Sequence, residues 1–170
     1  MNHDSFSVCV YCGSRPGEAP VHAAAAQAIG SEIGRRGWQL VYGGGRAGLM
    51  GVVADAALAA GARVIGVIPE SLMGRELGHR GLTELHVVQT MHQRKMMMAD
   101  RSEAFLALPG GIGTFEELFE MWSWRQLGYH HKPLGLLNVA GYYDALLGFL
   151  EHSRAQGFMN TTQMELLQVG

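Results

Sequence analysis

The sequence predicts an α/β fold, a mostly parallel sheet with helices on both faces. Three observations carry this. Strand-like apolar runs alternate with helical patterns along the whole chain. Those runs are continuous rather than alternating, as in strands covered on both faces. Glycine-rich segments close three of them, at Gly13, Gly43–Gly45 and Gly110–Gly113. Sheets of this kind bind their ligands beyond the C-terminal strand ends, so one shared pocket is the simplest reading.

The elements follow in order. Ser7–Tyr11 is a first strand, closed by Gly13-Ser14. Pro20–Arg36 is a helix with an alanine-rich face, stopped by Gly37, and Trp38–Tyr42 is a second strand. Leu49–Ala60 is a small-residue helix ending at Gly61, followed by a third strand over Arg63–Ile68 and a shorter fourth over Glu84–Val88. Met91–Arg101 is a helix, Ala104–Leu108 a fifth strand and Thr114–Leu127 a helix. Leu134–Asn138 is a sixth strand and Tyr142–Gln156 a closing helix. This βα alternation gives crossovers that place helices on both faces. No linker, repeat or low-complexity stretch interrupts it, so residues 1–170 read as one domain.

Composition narrows the function classes. At 170 residues, 48% hydrophobic and 16% charged, the chain is long and apolar enough to bury a core. A net charge of −2 does not suit a broad nucleic-acid surface. No apolar stretch reaches the roughly 18 residues of a membrane span. The first residues, Met1 to Ser5, lack the charged start and apolar run of a signal peptide, so a cytoplasmic protein is expected. Cys9 and Cys12 form a C-x-x-C inside a strand rather than at a helix start, with no second pair to complete a zinc set. They read as small buried hydrophobes. The eight histidines show no ligand pattern, so no metal is expected.

Three motifs carry chemistry. Gly43–Gly48 matches G-x-G-x-x-G between a strand and a helix. It follows the second strand, however, and the position where a ribose-binding acid is due holds Arg63. A glycine-lined wall of a nucleotide pocket fits better than a dinucleotide site. Pro109-Gly-Gly-Ile-Gly-Thr-Phe-Glu-Glu117 is more specific. A strand delivers the chain, the glycines let backbone approach a ligand, and the following helix start offers free N–H groups and a positive dipole end to a phosphate. Spacing alone gives Glu117 two readings: the partner of an N-cap Thr114 in a capping box, or an active carboxylate. The segment lacks G-x-x-x-x-G-K-[S/T], so no γ-phosphate is required. The third motif, Met91-His-Gln-Arg-Lys95, opens a helix near a strand end. Arg94 and Lys95 reach the pocket from there, although positive charge in a first turn opposes the helix dipole.

Pro109–Glu117 and Met91–Lys95 together resemble the Lonely Guy (LOG) family of cytokinin riboside 5′-monophosphate phosphoribohydrolases. The P-G-G-x-G-T-x-x-E signature is complete and ends at Glu117, and M-H-x-R-K is complete as Met91–Lys95. The likeness extends to Cys12-Gly-Ser14, Leu40–Gly45, Gly48–Gly51, Trp124–Gly128 and Lys132–Tyr143. It implies a Rossmann-like fold, a homodimer, and cleavage of the N-glycosidic bond of N6-substituted adenosine 5′-monophosphates without metal or cofactor. The products are the base and ribose 5-phosphate. It also implies Arg94 and Glu117 as the essential pair. Implied substrate contacts are Glu76, Arg94, Lys95, Gly110, Gly111, Ile112, Gly113, Thr114, Phe115, Glu116 and Glu117, with Gly13, Ser14 and Gly44 from the other glycine-rich turns. Two other readings fit the same motifs, a general AMP nucleosidase and a non-catalytic nucleotide or molybdenum-cofactor binding protein.

As a mechanism, loss of the base builds positive charge on the ribose, which a carboxylate stabilises while taking a proton from water. Glu117 is assigned that role. Arg94 is assigned to hold Glu117 and the sugar or phosphate in register, and to keep Glu117 ionised.

Overall fold

The computed structural model describes residues 5–170. The leader-peptide expectation rests mostly on residues 1–4 and lies outside them. Seven strands, β1 (Ser7–Tyr11), β2 (Gln39–Tyr42), β3 (Arg63–Pro69), β4 (Glu84–Val88), β5 (Ala104–Ala107), β6 (Leu134–Leu136) and β7 (Leu167–Val169), form one sheet ordered β4-β3-β2-β1-β5-β6-β7. Every pairing is parallel. This is the Rossmann-like α/β fold that the apolar strands predict.

Alternate residues of each strand feed two cores. On one face Val8, Val10, Cys12, Leu40 and Tyr42 pack against α1 (Pro20–Arg35) and α2 (Gly48–Ala59). These helices lie close, for a Cβ on Gly30 would overlap the Val53 carbonyl. On the other face Cys9, Tyr11, Val41, Phe105 and Ala107 pack against α3 (Met91–Asp100), α4 (Ile112–Gln126) and α5 (Asp144–Ala155). Cys9 and Cys12 therefore sit in different cores and cannot act on one ion or one disulfide. Burial pushes the Cys9 thiol up to about 12 and Cys12 higher still.

Two boundaries differ from expectation in ways that matter. Helix α4 begins at Ile112 with Gly111 as its N-cap, two residues before Thr114. Thr114 is inside the first turn, so the capping box expected between Thr114 and Glu117 does not form. The expected helix Tyr142–Gln156 is delayed to Asp144, because Ala140 and Gly141 adopt φ of 49° and 72° and make a separate 3-10 turn, Val139–Gly141. The chain also closes with α6 (Thr161–Glu165) and β7, which the sequence reading omits. Strand β7 adds to β6 through Leu134↔Leu167 and Leu136↔Val169.

From β1 the chain winds outward to β4 and returns on the other side at β5. The order reverses between β1 and β5, and loops leaving those strands part there to open a crevice.

Candidate active site

The crevice is built from the loops after β1, β2 and β5. The Gly13 N–H donates to the Pro109 carbonyl (3.1 Å), and the Leu49 N–H donates to the Gly13 carbonyl (3.0 Å), so one glycine ties β5 and α2 to the end of β1. Gly110 must lack a side chain, because a Cβ there would overlap the Thr114 hydroxyl and lie 2.9 Å from the Gly13 nitrogen. Two tyrosines beyond β6 hold the turn: Tyr142 Oη donates to the Gly110 carbonyl (2.5 Å) and Tyr143 Oη to the Leu108 carbonyl (2.6 Å).

Helix α4 starts without a side-chain cap among the described residues. Its first internal bond runs from the Phe115 N–H to the Gly111 carbonyl (3.0 Å). The Ile112, Gly113 and Thr114 amides precede that bond and face outward as open donors. Gly111, Ile112 and Gly113 are exposed while Thr114 is buried.

Arg94 enters from α3, whose start is secured by a capping box between Thr90 and Gln93. The capped turn leaves Arg94 one residue further in, where its guanidinium leaves the helix for the sheet edge. It is 5% exposed. Nε donates to the Val67 carbonyl (3.0 Å), and Nη2 donates to the Gly43 carbonyl (2.6 Å) and to Glu76 Oε2 (2.7 Å). Nη1 reaches Glu76 Oε1 at 3.4 Å. One carbonyl lies in the C-terminal half of β3 and the other directly follows β2, and they answer the charge that the helix dipole disfavours. Gly43 is required here, since a Cβ would overlap Nη2.

Between these parts lies a cavity of about 70 Å³ lined by Tyr11, Cys12, Ser14, Gly43, Met50, Glu76, Arg94, Thr114 and Glu117 together with Val10. Glu117 makes no side-chain hydrogen bond to the described residues. The residue is half-buried, its carboxyl is crowded by protein, and burial pushes it up to about 8. Arg94 pulls in the opposite direction without offsetting burial, while Glu116 and Glu76 push the same way as burial. The expectation that Arg94 keeps Glu117 ionised at neutral pH is thereby corrected: the guanidinium is committed to Glu76 and two carbonyls.

Comparison with known proteins is decisive at this point. The family described as "possible lysine decarboxylase" matches residues 50–170. A cytokinin riboside 5′-monophosphate phosphoribohydrolase of Rhodococcoides fascians is 52% identical over 154 residues, covering 90% of this chain and 78% of its own. One of Arabidopsis thaliana is 49% identical over 160 residues, covering 94% and 74%. The chain belongs to the Lonely Guy family. Among solved structures, a molybdenum cofactor binding protein of Rippkaea orientalis aligns with TM-score 0.74 at 20% identity, over 99% of this chain and 91% of that one. A molybdenum cofactor carrier protein of Chlamydomonas reinhardtii gives 0.71 at 22%, over 98% and 90%. At such identity the likeness is one of fold.

Of the Lonely Guy residues expected at the site, Ser14, Glu76, Arg94, Thr114 and Glu117 meet at one cavity, and Gly110–Gly113 form its neighbouring helix start. Others stand apart from it. Lys95 Nζ binds Glu116 Oε1 (2.7 Å) and Glu120 Oε2 (2.8 Å), tying α3 to α4. Phe115 turns to Tyr143 in the core. Gly44, with φ 78°, packs on Ile68 and Leu85, and its neighbour Gly43 lines the cavity instead. Gly13 lines an adjoining cavity with Arg15, His22 and Tyr142. Tyr11 and Met50 were missed. Tyr11 belongs to the inward face of β1, which the strand pattern alone reads as core.

Proposed function

We propose that this protein hydrolyses the N-glycosidic bond of adenosine 5′-monophosphates bearing an N6 substituent, as the names of its relatives describe for them. The observation that carries the reading is a carboxyl, Glu117, set about 7.5 Å along α4 from an uncapped helix start and facing the same cavity as the Arg94–Glu76 pair. A 5′-phosphate accepts the Ile112, Gly113 and Thr114 amides, which also places its charge at the positive end of the helix. The ribose then runs inward to Glu117. The cavity of about 70 Å³ holds the reacting carbon and a water, since each water takes about 30 Å³, and the base extends beyond it.

As the C1′–N bond breaks, its electron pair leaves with the base, which takes up a proton from solvent. Ionised Glu117 stabilises the positive charge left on the ribose and takes a proton from the water whose oxygen bonds C1′. The burial that raises its proton affinity makes it a stronger base once ionised. Arg94 is held in place by Glu76. Of its five N–H groups, four are committed to Val67, Gly43 and Glu76, which leaves one on Nη1 for the substrate.

A decarboxylase role, which the family description suggests, does not fit the lysines. A Schiff-base cofactor requires a lysine amine free to attack it. Burial pulls the Lys95 ammonium down, but Glu116 and Glu120 outweigh that and keep it protonated. Lys132 Nζ donates to the Ala99 carbonyl (2.6 Å) and lies 5.9 Å from the Phe105 ring centre, in a different groove. That groove is lined by Met96, Phe105, Trp124, Tyr129 and His130, and we infer it as the face where a homodimer would pack. Tyr129 is 75% and Leu127 59% exposed beside it. Part of the apolar surface of α4 is covered within the chain, with Trp122 stacked on Phe119 and bonded to the Gln163 carbonyl.

Parallel incubation with AMP and isopentenyl-AMP tests the reading. Faster release of the substituted base supports it. Equal rates favour a general AMP nucleosidase, and no release from either favours a carrier. Light scattering showing a monomer at micromolar concentration overturns the dimer.

A further inference from the structure

Glu76, the carboxylate paired with Arg94, is carried by the irregular segment 73–82 between a 3-10 turn and β4. The segment is laid over the Gly44–Ala47 loop by backbone bonds. The Arg46 N–H donates to the Glu76 and Leu77 carbonyls (3.0 and 2.7 Å), and the His79 N–H to the Gly44 carbonyl (2.8 Å). Gly45 and Gly78 add an isolated antiparallel bridge. Leu77 holds φ at 54°, a left-handed conformation that a branched side chain adopts only where its surroundings over-determine it.

One side chain supplies that determination. His79 is 6% exposed. Its Nε2 lies 2.7 Å from Asp55 Oδ1 on α2, and its Nδ1 accepts the Gly81 N–H at 3.0 Å. The second bond makes Nδ1 the unprotonated nitrogen, so the ring hydrogen is on Nε2 and donates to Asp55. His79 thus joins the segment to α2 through Asp55 and braces the segment's own turn through Gly81.

We propose that His79 is a positioning residue, keying segment 73–82 to α2 and thereby holding Glu76 against Arg94. This rests on the reading that Arg94 serves the phosphoribohydrolase site. The backbone bonds tie the segment to the Gly44–Ala47 loop, and the Asp55 contact ties it to the body of α2. A displacement of Glu76 is carried to the guanidinium it holds.

The test uses the full chain and four variants: His79→Ala, His79→Asn, His79→Gln and Asp55→Ala. Asn keeps an acceptor near the Nδ1 position, and Gln keeps a donor near Nε2. Base release from isopentenyl-AMP is followed, together with amide hydrogen exchange. His79→Ala is expected to lower kcat by about 10- to 100-fold, the effect of a misplacement near 1 Å. Faster exchange is expected to be confined to segment 73–82. Asp55→Ala and His79→Asn should show part of the loss, and His79→Gln should recover most of kcat. Unchanged kcat and exchange in His79→Ala overturn the proposal. So does acceleration of exchange throughout the chain, which marks a merely structural role. If the wild type releases no base, the phosphoribohydrolase reading fails, and exchange within segment 73–82 still decides the role of His79.

Discussion

Glu117→Gln should separate catalysis from stability in opposite directions. The folded protein holds the Glu117 proton up to about pH 8, against 4.5 in the unfolded chain, with burial as the main cause. The folded state therefore binds more protons than the unfolded state between these values. Stability falls as pH rises through that window and levels off above it. At 1.36 kcal/mol for each pH unit, a dry site would lose on the order of 4–5 kcal/mol. Water at the open mouth screens the charge, which roughly halves this to about 2 kcal/mol. For a chain of this size that is about 4–8 °C in Tm. Gln has the shape of the protonated carboxyl at every pH and removes the slope. Thermal melts from pH 5 to 8.5 should show the variant gaining on the wild type by that amount, while base release drops by about 10²–10⁴-fold. Parallel melting curves across the range, or wild-type turnover in the variant, would refute the reasoning.

The remaining predictions concern the parts around Glu117. Because ionised Glu117 does the work, kcat/KM should rise tenfold per pH unit and level off above about pH 8. A flat profile from pH 5 to 9 contradicts it. Arg94→Ala leaves the half-buried Glu76 unpaired and should cost up to about 3 kcal/mol in urea unfolding. Arg94→Lys should not restore activity, since one ammonium cannot reach Val67, Gly43 and Glu76 together. Gly43→Ala drives a methyl into Nη2 and should abolish turnover at a stability cost of about 1–3 kcal/mol. Gly110→Ala forces Thr114 away from the Gly13 loop; calorimetry should show AMP binding weakened by about tenfold or more, 1.4 kcal/mol.

The sheet was legible because strands buried on both faces are unbroken apolar runs, and six of the seven are found within a few residues of their observed ends. Strand β7 was not, being three residues long and dependent on β6 for its pairing. The glycine-rich turns lie around the crevice, with Gly43 on one cavity and Gly13 and Gly110 on an adjoining one, since close backbone approach leaves its trace in residue type. The start of α4 did not, because Thr114 resembles an N-cap while the helix begins at a bare Gly111. Protonation states were also illegible. Arg94 and Glu76 are 18 positions apart and meet only in the folded chain, and the isolation of Glu117 belongs to a pocket assembled from five separate segments.

The most direct test of N-glycosidic hydrolysis is product analysis after incubation with N6-isopentenyladenosine 5′-monophosphate. Free N6-isopentenyladenine and ribose 5-phosphate should form in equal amounts with the wild type and be absent with Glu117→Gln. Unchanged nucleotide in both reactions, or equal release by the two proteins, would contradict the assignment of Glu117.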